Sequence, residues 1–222
     1  MSDQTVGNIL RRHGIAPAPK RSQVTSWKDF LAAHMNVLAG CDFFTVEVLT
    51  WRGLVTYYVL FFLHLDSRRV SVAGITRHPD QEWMRQMAHN ATQDGWGSLT
   101  GRRYVLHDRD TKFCTAFRLA LRTGGVKTIM LPARSPNLNA FAERRVRSVK
   151  QECLSKLILF GSDSLWRVLT EYGAHYHRER NHQGKGNLLL FPQTPDKFRQ
   201  SSRSVQCKPR LGGLLKYYER AA

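Results

Sequence analysis

The sequence predicts an α/β fold in which helices flank a mixed sheet of five strands. Three β-branched and aromatic runs follow one another early in the chain, two shorter apolar runs each follow a helical pattern, and two long helical patterns come last. Strands that follow one another directly pair antiparallel, and strands joined through a helix pair parallel. This order therefore predicts an antiparallel meander that parallel crossovers extend.

The first 34 residues are predicted to lie outside the sheet. Residues 1–15 predict a short amphipathic helix that Ser2 caps and Gly14 ends. The pattern alone fits two interpretations, the last helix of a helix-turn-helix region or an ordinary N-terminal helix. Residues 16–34 contain prolines, basic residues and hydroxyls, and are predicted to be a linker with a short helix at Trp27–His34.

The segments of the sheet are predicted from β-branched and aromatic residues bounded by turn residues, and the helices from apolar residues at helical spacing. The second strand is apolar on both faces, as in a central strand that helices cover on both sides. The predicted strands are Asn36–Val48, Leu54–Leu65, Arg69–Thr76, Arg103–His107 and Val126–Leu131. The predicted helices are Asp80–Trp96, Lys112–Arg122, Ala140–Leu159 and Ser162–Arg180. They form a core domain over residues 35–192.

Residues 193–222 are predicted to be a basic C-terminal tail. The tail ends in a leucine-rich stretch, LGGLLKYY. Two interpretations of this stretch stay open: it docks on the core, or it mediates self-association.

The charge of the chain indicates a polyanionic partner. Lys and Arg number 34 against 17 Asp and Glu, so the formal net charge is +17, and such an imbalance favours nucleic acid. A merely soluble basic protein and a basic membrane-surface protein are the alternatives. The longest apolar run, Tyr57–Leu63, is about a third of a membrane-spanning length, and the N-terminus does not resemble a signal peptide. We expect a cytoplasmic protein with free cysteines and no membrane association.

Three acidic residues stand out by their position. Asp42 lies within an apolar strand, where a charge is costly to bury unless it is paired or bound to metal. Asp108 directly follows the fourth strand, and ligands bind at the carboxyl ends of parallel strands. Glu143 lies in the first turn of a helix, with Arg147 and Lys150 near it on the same face. The predicted apolar stripe of that helix is Ala142, Val146, Val149, Cys153 and Leu157.

Each acid also fits a structural interpretation. Asp42 alone fits a strand residue that makes local hydrogen bonds, and Asp108 fits a cap of the following helix. Glu143 fits a solvated helix face with an i,i+4 ion pair. The combination of the three, in this order of elements, favours a shared site.

The segments around the three acids resemble a known family. CDFFTVE around Asp42, LHDRDTKF around Asp108 and SPNLNAFAERRVRSVKQECL around Glu143 resemble the integrase-core (DDE-type) transposases of bacterial insertion sequences, in the retroviral-integrase-like superfamily. HYHRERNHQGKGN, at 175–187, resembles the family's downstream helix and turn. The interval from position 108 to position 143 is close to the family's short spacing. The resemblance covers roughly residues 25–195.

The resemblance implies a ribonuclease H-like fold and a DNA transposase or integrase that cleaves DNA ends and joins them to target DNA. It implies that Asp42, Asp108 and Glu143 are catalytic and bind divalent metal. We predict two Mg²⁺ (or Mn²⁺) ions, with Asp42 contacting both ions and Asp108 and Glu143 each holding one. The implied partners are element ends and target DNA, bound by a homodimer or higher multimer in the bacterial nucleoid. The predicted DNA-binding residues are Asn139, Arg144, Arg147, Lys150, Arg178 and Lys185, with Arg134, Arg145 and Arg180 as further basic candidates.

Two rival functions stay open. The first is a ribonuclease H-like nuclease that cuts DNA without joining it. The second is a catalytically inactive DNA-binding remnant, because relatives usually carry a complete N-terminal helix-turn-helix region and only its last helix is predicted at 1–15. The basic flanks and the motif around Glu143 favour the transposase over the nuclease, and the intact set of three acids argues against the remnant.

Overall fold

The computed structural model of the chain describes residues 3–14, 27–132, 140–192 and 204–220. Contacts divide the chain into two compact units, residues 1–33 and 34–222. The first unit contains α1 (Asp3–Arg12) and most of α2 (Trp27–His34). In the parts of the chain that the structure describes, no helix combines the length and apolar character needed to cross a membrane. The division into remnant helix, linker, core and tail stays a prediction.

The second unit contains the predicted mixed sheet. Its order is β3-β2-β1-β4-β5, with β1 antiparallel to β2, β2 antiparallel to β3, and β4 parallel to both β1 and β5. The meander and the parallel crossovers are therefore confirmed. The strands are β1 (Leu38–Thr50), β2 (Gly53–His64), β3 (Val70–Thr76), β4 (Tyr104–His107) and β5 (Lys127–Met130).

Helices cover both faces of this sheet. Alternate residues of each strand point to opposite faces, so one strand can contribute side chains to an apolar cluster on each side. In β2, Phe61 and Leu63 belong to one buried apolar cluster, and Leu60 and Phe62 belong to another. The first cluster includes side chains of α5 (Ala140–Glu152) and α6 (Gly161–Arg178), and the second includes side chains of α3 (Gln81–Thr92) and α4 (Thr115–Thr123). The apolar character of β2 on both faces follows from this arrangement.

The helix α5 is shorter than its predicted span of 140–159. It ends at Glu152, and a 3₁₀ turn at Leu154–Lys156 follows. The Leu49 N–H then donates to the Leu159 carbonyl at 2.9 Å, and Leu49 bridges Phe160 in parallel. Because β4 pairs only with the first residues of β1, the far end of β1 is open to this pairing. The pairing requires an extended backbone and ends the helical pattern.

The predicted tail contains a β-hairpin that docks on the core. Strands β6 (Val205–Arg210) and β7 (Leu215–Arg220) pair antiparallel. Leu215 is 6% exposed and belongs to the apolar cluster on the α5 and α6 face. The Arg210 guanidinium donates to both carboxylate oxygens of Glu179 at 2.7–3.0 Å and to Glu171 at 2.6 Å. Of the two interpretations of LGGLLKYY, the structure has the docked arrangement.

We expect Arg210→Gln to open this hairpin locally. The change removes charge-assisted hydrogen bonds and leaves the buried Glu179 carboxylate with His175 as its remaining described partner. Such bonds contribute about 2 kcal/mol, so hydrogen exchange of the β6 and β7 amides should accelerate roughly 30-fold. Lys208→Gln removes a cation whose partner, Glu219, lies within the hairpin itself, and is the matched control. Equal protection in both variants would contradict the role of Arg210.

Candidate active site

The sheet brings Asp42 and Asp108 side by side. β1 and β4 pair in parallel, with Gly40 opposite Leu106. Asp42 and Asp108 each follow this pair by two residues, Asp108 just beyond the carboxyl end of β4, and the charge of Asp108 raises the pKa of Asp42. Ligands bind at this edge of an open sheet.

Asp42 is half-buried, and its pKa is raised from 3.8 to about 6. Burial is the largest cause; the Phe43 N–H, which donates to Asp42 Oδ1 at 2.8 Å, acts in the opposite direction. The negative charges of Asp108, Glu143 and Asp110 raise the pKa of Asp42 further. The charges of Asp108 and Glu143 therefore reach Asp42, which is the least exposed of the three predicted acids.

In the loop after β4, Asp108 and its neighbour Asp110 differ in exposure and in hydrogen-bond partners. Asp108 is exposed and accepts the Asp110 N–H at 3.0 Å. Asp110 is paired with Lys112, whose Nζ lies 2.7 Å from its Oδ2 and lowers its pKa against the effect of burial. Because Lys112 compensates the Asp110 charge, Asp108 is the acid of this loop that stays available to a cation.

Glu143 lies in the first turn of α5 and is exposed, as are Arg147 and Lys150. The positions i, i+4 and i+7 place the acid and the two cations along one side of the helix. Among the described residues, no group of three or more His, Cys, Asp or Glu side chains is close enough to hold a metal ion. Mutual repulsion of carboxylates disfavours such an approach unless a cation lies between them.

Two predicted DNA-binding residues meet in one cavity. Arg144 on α5 and Lys185 in the turn after α6 line a space of about 240 Å³, together with Arg68, a residue that the sequence analysis did not single out. Arg178 is exposed at the end of α6. Asn139 and Arg134 lie outside the described residues.

Two further basic candidates are bound within the protein, although Arg180 also lines this cavity. Arg145 is 6% exposed, with its guanidinium 4.6 Å and 4.1 Å from the ring centres of Tyr172 and Tyr176. Arg180 is bound in a bidentate pair to Glu152 at 2.6–2.8 Å. Arg145 therefore packs α5 against α6, and the prediction that it faces DNA is wrong. The charge of Arg180 is compensated within the protein.

Comparisons with known proteins agree with this fold. Residues 124–189 match the family described as Integrase core domain. The chain is similar to a chain of the simian T-cell lymphotropic virus intasome in complex with PP2A regulatory subunit B56 gamma, at 12% identity and a TM-score of 0.50, over 82% of this chain and 66% of that one. It is also similar to the catalytic core domain of BIV integrase, at 11% identity and a TM-score of 0.48, over 67% and 88%.

No curated protein matches the sequence. The chain spans 66% of the intasome chain, a little under two thirds. At 12% identity that likeness shows the fold alone, which is the predicted ribonuclease H-like α/β fold.

Proposed function

Because the chain has the retroviral-integrase-like fold and contains an integrase core segment, we propose that it is the catalytic core of a DNA transposase or integrase. The reaction is metal-dependent cleavage of a DNA end followed by strand transfer into target DNA. The observation that carries this proposal is the interaction of Asp42 with Asp108 and Glu143, three acids supplied by separate elements at one edge of the sheet.

The three acids fit a pair of hard divalent cations. Mg²⁺ and Mn²⁺ prefer oxygen ligands and share them with substrate phosphates and water. Asp42 would contact both ions, and Asp108 and Glu143 would each hold one. Such ions would supply charge stabilisation for the attacking and leaving oxygens of a phosphodiester. The half-buried position of Asp42 supports its central role, since burial strengthens its interaction with cations.

The protein contributes positions and charges to the reaction. The sheet pairs Gly40 with Leu106, two residues before Asp42 and Asp108, and Glu143 lies in the first turn of α5. Arg147 and Lys150, exposed on the same helix, would bind the DNA backbone next to the acids. The charge of +17 would steer the chain to DNA. Two ends joined at one target imply a homodimer or higher multimer, as in an insertion-sequence transposase acting in the bacterial nucleoid.

The test is a joining assay with a labelled DNA end and plasmid target. We expect joined products with Mg²⁺ or Mn²⁺ and none with a chelator, because the ions provide the charge stabilisation that the acids alone lack. Ca²⁺ controls for structural effects of a divalent cation. Cut but unjoined DNA would favour the ribonuclease H-like nuclease, and salt-sensitive DNA binding without either product would favour the inactive remnant.

A further inference from the structure

Three segments of the second unit form a pocket rich in basic side chains. Arg68 comes from the turn between β2 and β3, Arg144 and Ser148 come from one face of α5, and Lys185 comes from the turn after α6. We call these four residues and the space between them the cationic pocket. Its volume of about 240 Å³ far exceeds the roughly 10–15 Å³ that one water molecule needs.

The positive charges of the cationic pocket are not compensated within the described parts of the chain. No described acidic side chain forms an ion pair with Arg68, Arg144 or Lys185. Arg68 Nε is buried without a hydrogen-bond partner. Burial and then the charge of Arg144 lower the pKa of Arg68, so the two guanidinium groups repel each other. An anion between them would relieve both costs.

The pocket is also held in shape before any ligand binds. Arg68 has a left-handed backbone with φ of 63°, which costs free energy for a residue other than glycine. Its guanidinium lies 3.8 Å from the centre of the Phe141 ring. Lys185 Nζ donates to the Asp66 carbonyl at 2.9 Å, which ties the turn after α6 to the turn after β2. Strained backbone conformations of this kind cluster at binding and active sites, which is consistent with a ligand position at Arg68.

We propose that the cationic pocket binds a phosphodiester group of the DNA backbone, beside the face of α5 that carries Glu143. Guanidinium groups bind phosphate oxygens with paired, charge-assisted hydrogen bonds, and the Ser148 hydroxyl adds a neutral donor. Arg144 follows Glu143 directly, so the bound phosphate would lie about 100° around the helix from the acid. The inference rests on the proposed function and adds Arg68 and Ser148 to the DNA-binding surface.

The experiment measures DNA affinity against salt concentration, with a duplex and no divalent metal, in the Glu143→Gln background. Arg144→Gln is the first variant, because Arg144 is exposed and its loss should not affect folding. Each lost phosphate contact lowers the salt slope by about 0.9 and weakens binding roughly eightfold near 0.1 M salt. Arg68→Gly is the second variant, since glycine accepts the left-handed backbone. Arg85→Gln, an exposed arginine on α3, is the control of equal charge.

The proposal is supported if the salt slope falls in Arg144→Gln and in Arg68→Gly but stays at the unsubstituted value in the control, Arg85→Gln. Equal slopes in all three variants overturn it. If inorganic phosphate raises the melting temperature of the unsubstituted chain but not of Arg144→Gln, while DNA binding is unchanged, the pocket binds free phosphate and the DNA assignment is wrong. Because the assay measures DNA binding without strand transfer, it can fail or succeed independently of the test of the proposed strand-transfer reaction.

Discussion

Glu143→Gln is expected to lower the rate of strand transfer by about 10³-fold or more. The substitution keeps the size of the side chain but removes the negative charge that would hold a divalent cation. Metal ions contribute several kcal/mol of charge stabilisation in such reactions, and each 1.36 kcal/mol is tenfold in rate. Since Glu143 is exposed in the first turn of α5, the fold should not change. The measurement is the initial rate of joined product with Mg²⁺, at saturating DNA.

The matched control is Glu82→Gln, which neutralises an exposed acid in the first turn of α3, where it pairs with Arg85. This variant should join DNA at an unchanged rate. Glu143→Gln should still bind DNA with the affinity of the unsubstituted chain or more tightly, because it has lost a negative charge. Strand transfer that survives in Glu143→Gln would contradict the catalytic role assigned to the three acids.

Asp42→Asn is expected to make the metal-free protein more stable at pH 8, by about 2–3 kcal/mol. The folded pKa of Asp42 is about 6, above its usual 3.8. The folded state therefore binds the proton more tightly, so the stability that protonation provides is complete below pH 3.8 and is lost as the pH rises through 6. A shift of about 2 pKa units corresponds to roughly 3 kcal/mol. Asn resembles the protonated acid and can accept the Phe43 N–H.

The measurement is urea unfolding with a chelator at about pH 8, 6 and 4. The difference between Asp42→Asn and the unsubstituted chain should shrink on acidification and vanish below pH 4. Asp94→Asn, at an exposed turn, controls for the loss of one negative charge from a basic protein. Mg²⁺ should stabilise the unsubstituted chain and not Asp42→Asn. A less stable Asp42→Asn at pH 8 would contradict the burial and repulsion inferred for this carboxylate.

Together, the two expected results would mean that the acids at the sheet edge lower the stability of the metal-free protein and are required for strand transfer. The acids repel one another, and this costs folding free energy in the absence of metal. A substitution that stabilises the chain and abolishes joining would distinguish a built catalytic site from a merely structural group of acids.

The local patterns of the sequence determined most of the sheet. The apolar character of β2 on both faces predicted a central, covered strand, and the strand–helix alternation after β3 predicted the parallel crossovers. Periods of 2.0 and 3.6 residues come from the backbone itself, so they can be seen in a single segment. The same holds for Asp42 and Asp108, since a charge within or directly after an apolar strand is visible without any neighbour.

Contacts between distant segments were decided only in the tertiary structure. In the run of residues 143–147, Arg144, Arg145 and Arg147 look alike as basic helix residues, yet Arg145 is buried between tyrosines of α6 and the other two are exposed. The end of α5 depends on Leu49 pairing with Leu159, more than a hundred positions away. Neither partner carries a local signal of the pairing.

The interaction of the three acids also depends on tertiary structure. The pairing of Gly40 with Leu106 sets Asp42 against Asp108, and the packing of α5 brings Glu143 close enough to raise the pKa of Asp42. The sequence by itself identified the acids and the order of the elements that carry them. The sheet register and helix packing decided that the charges of Asp108 and Glu143 reach Asp42, because the field between carboxylates depends on distance in space and not on separation along the chain.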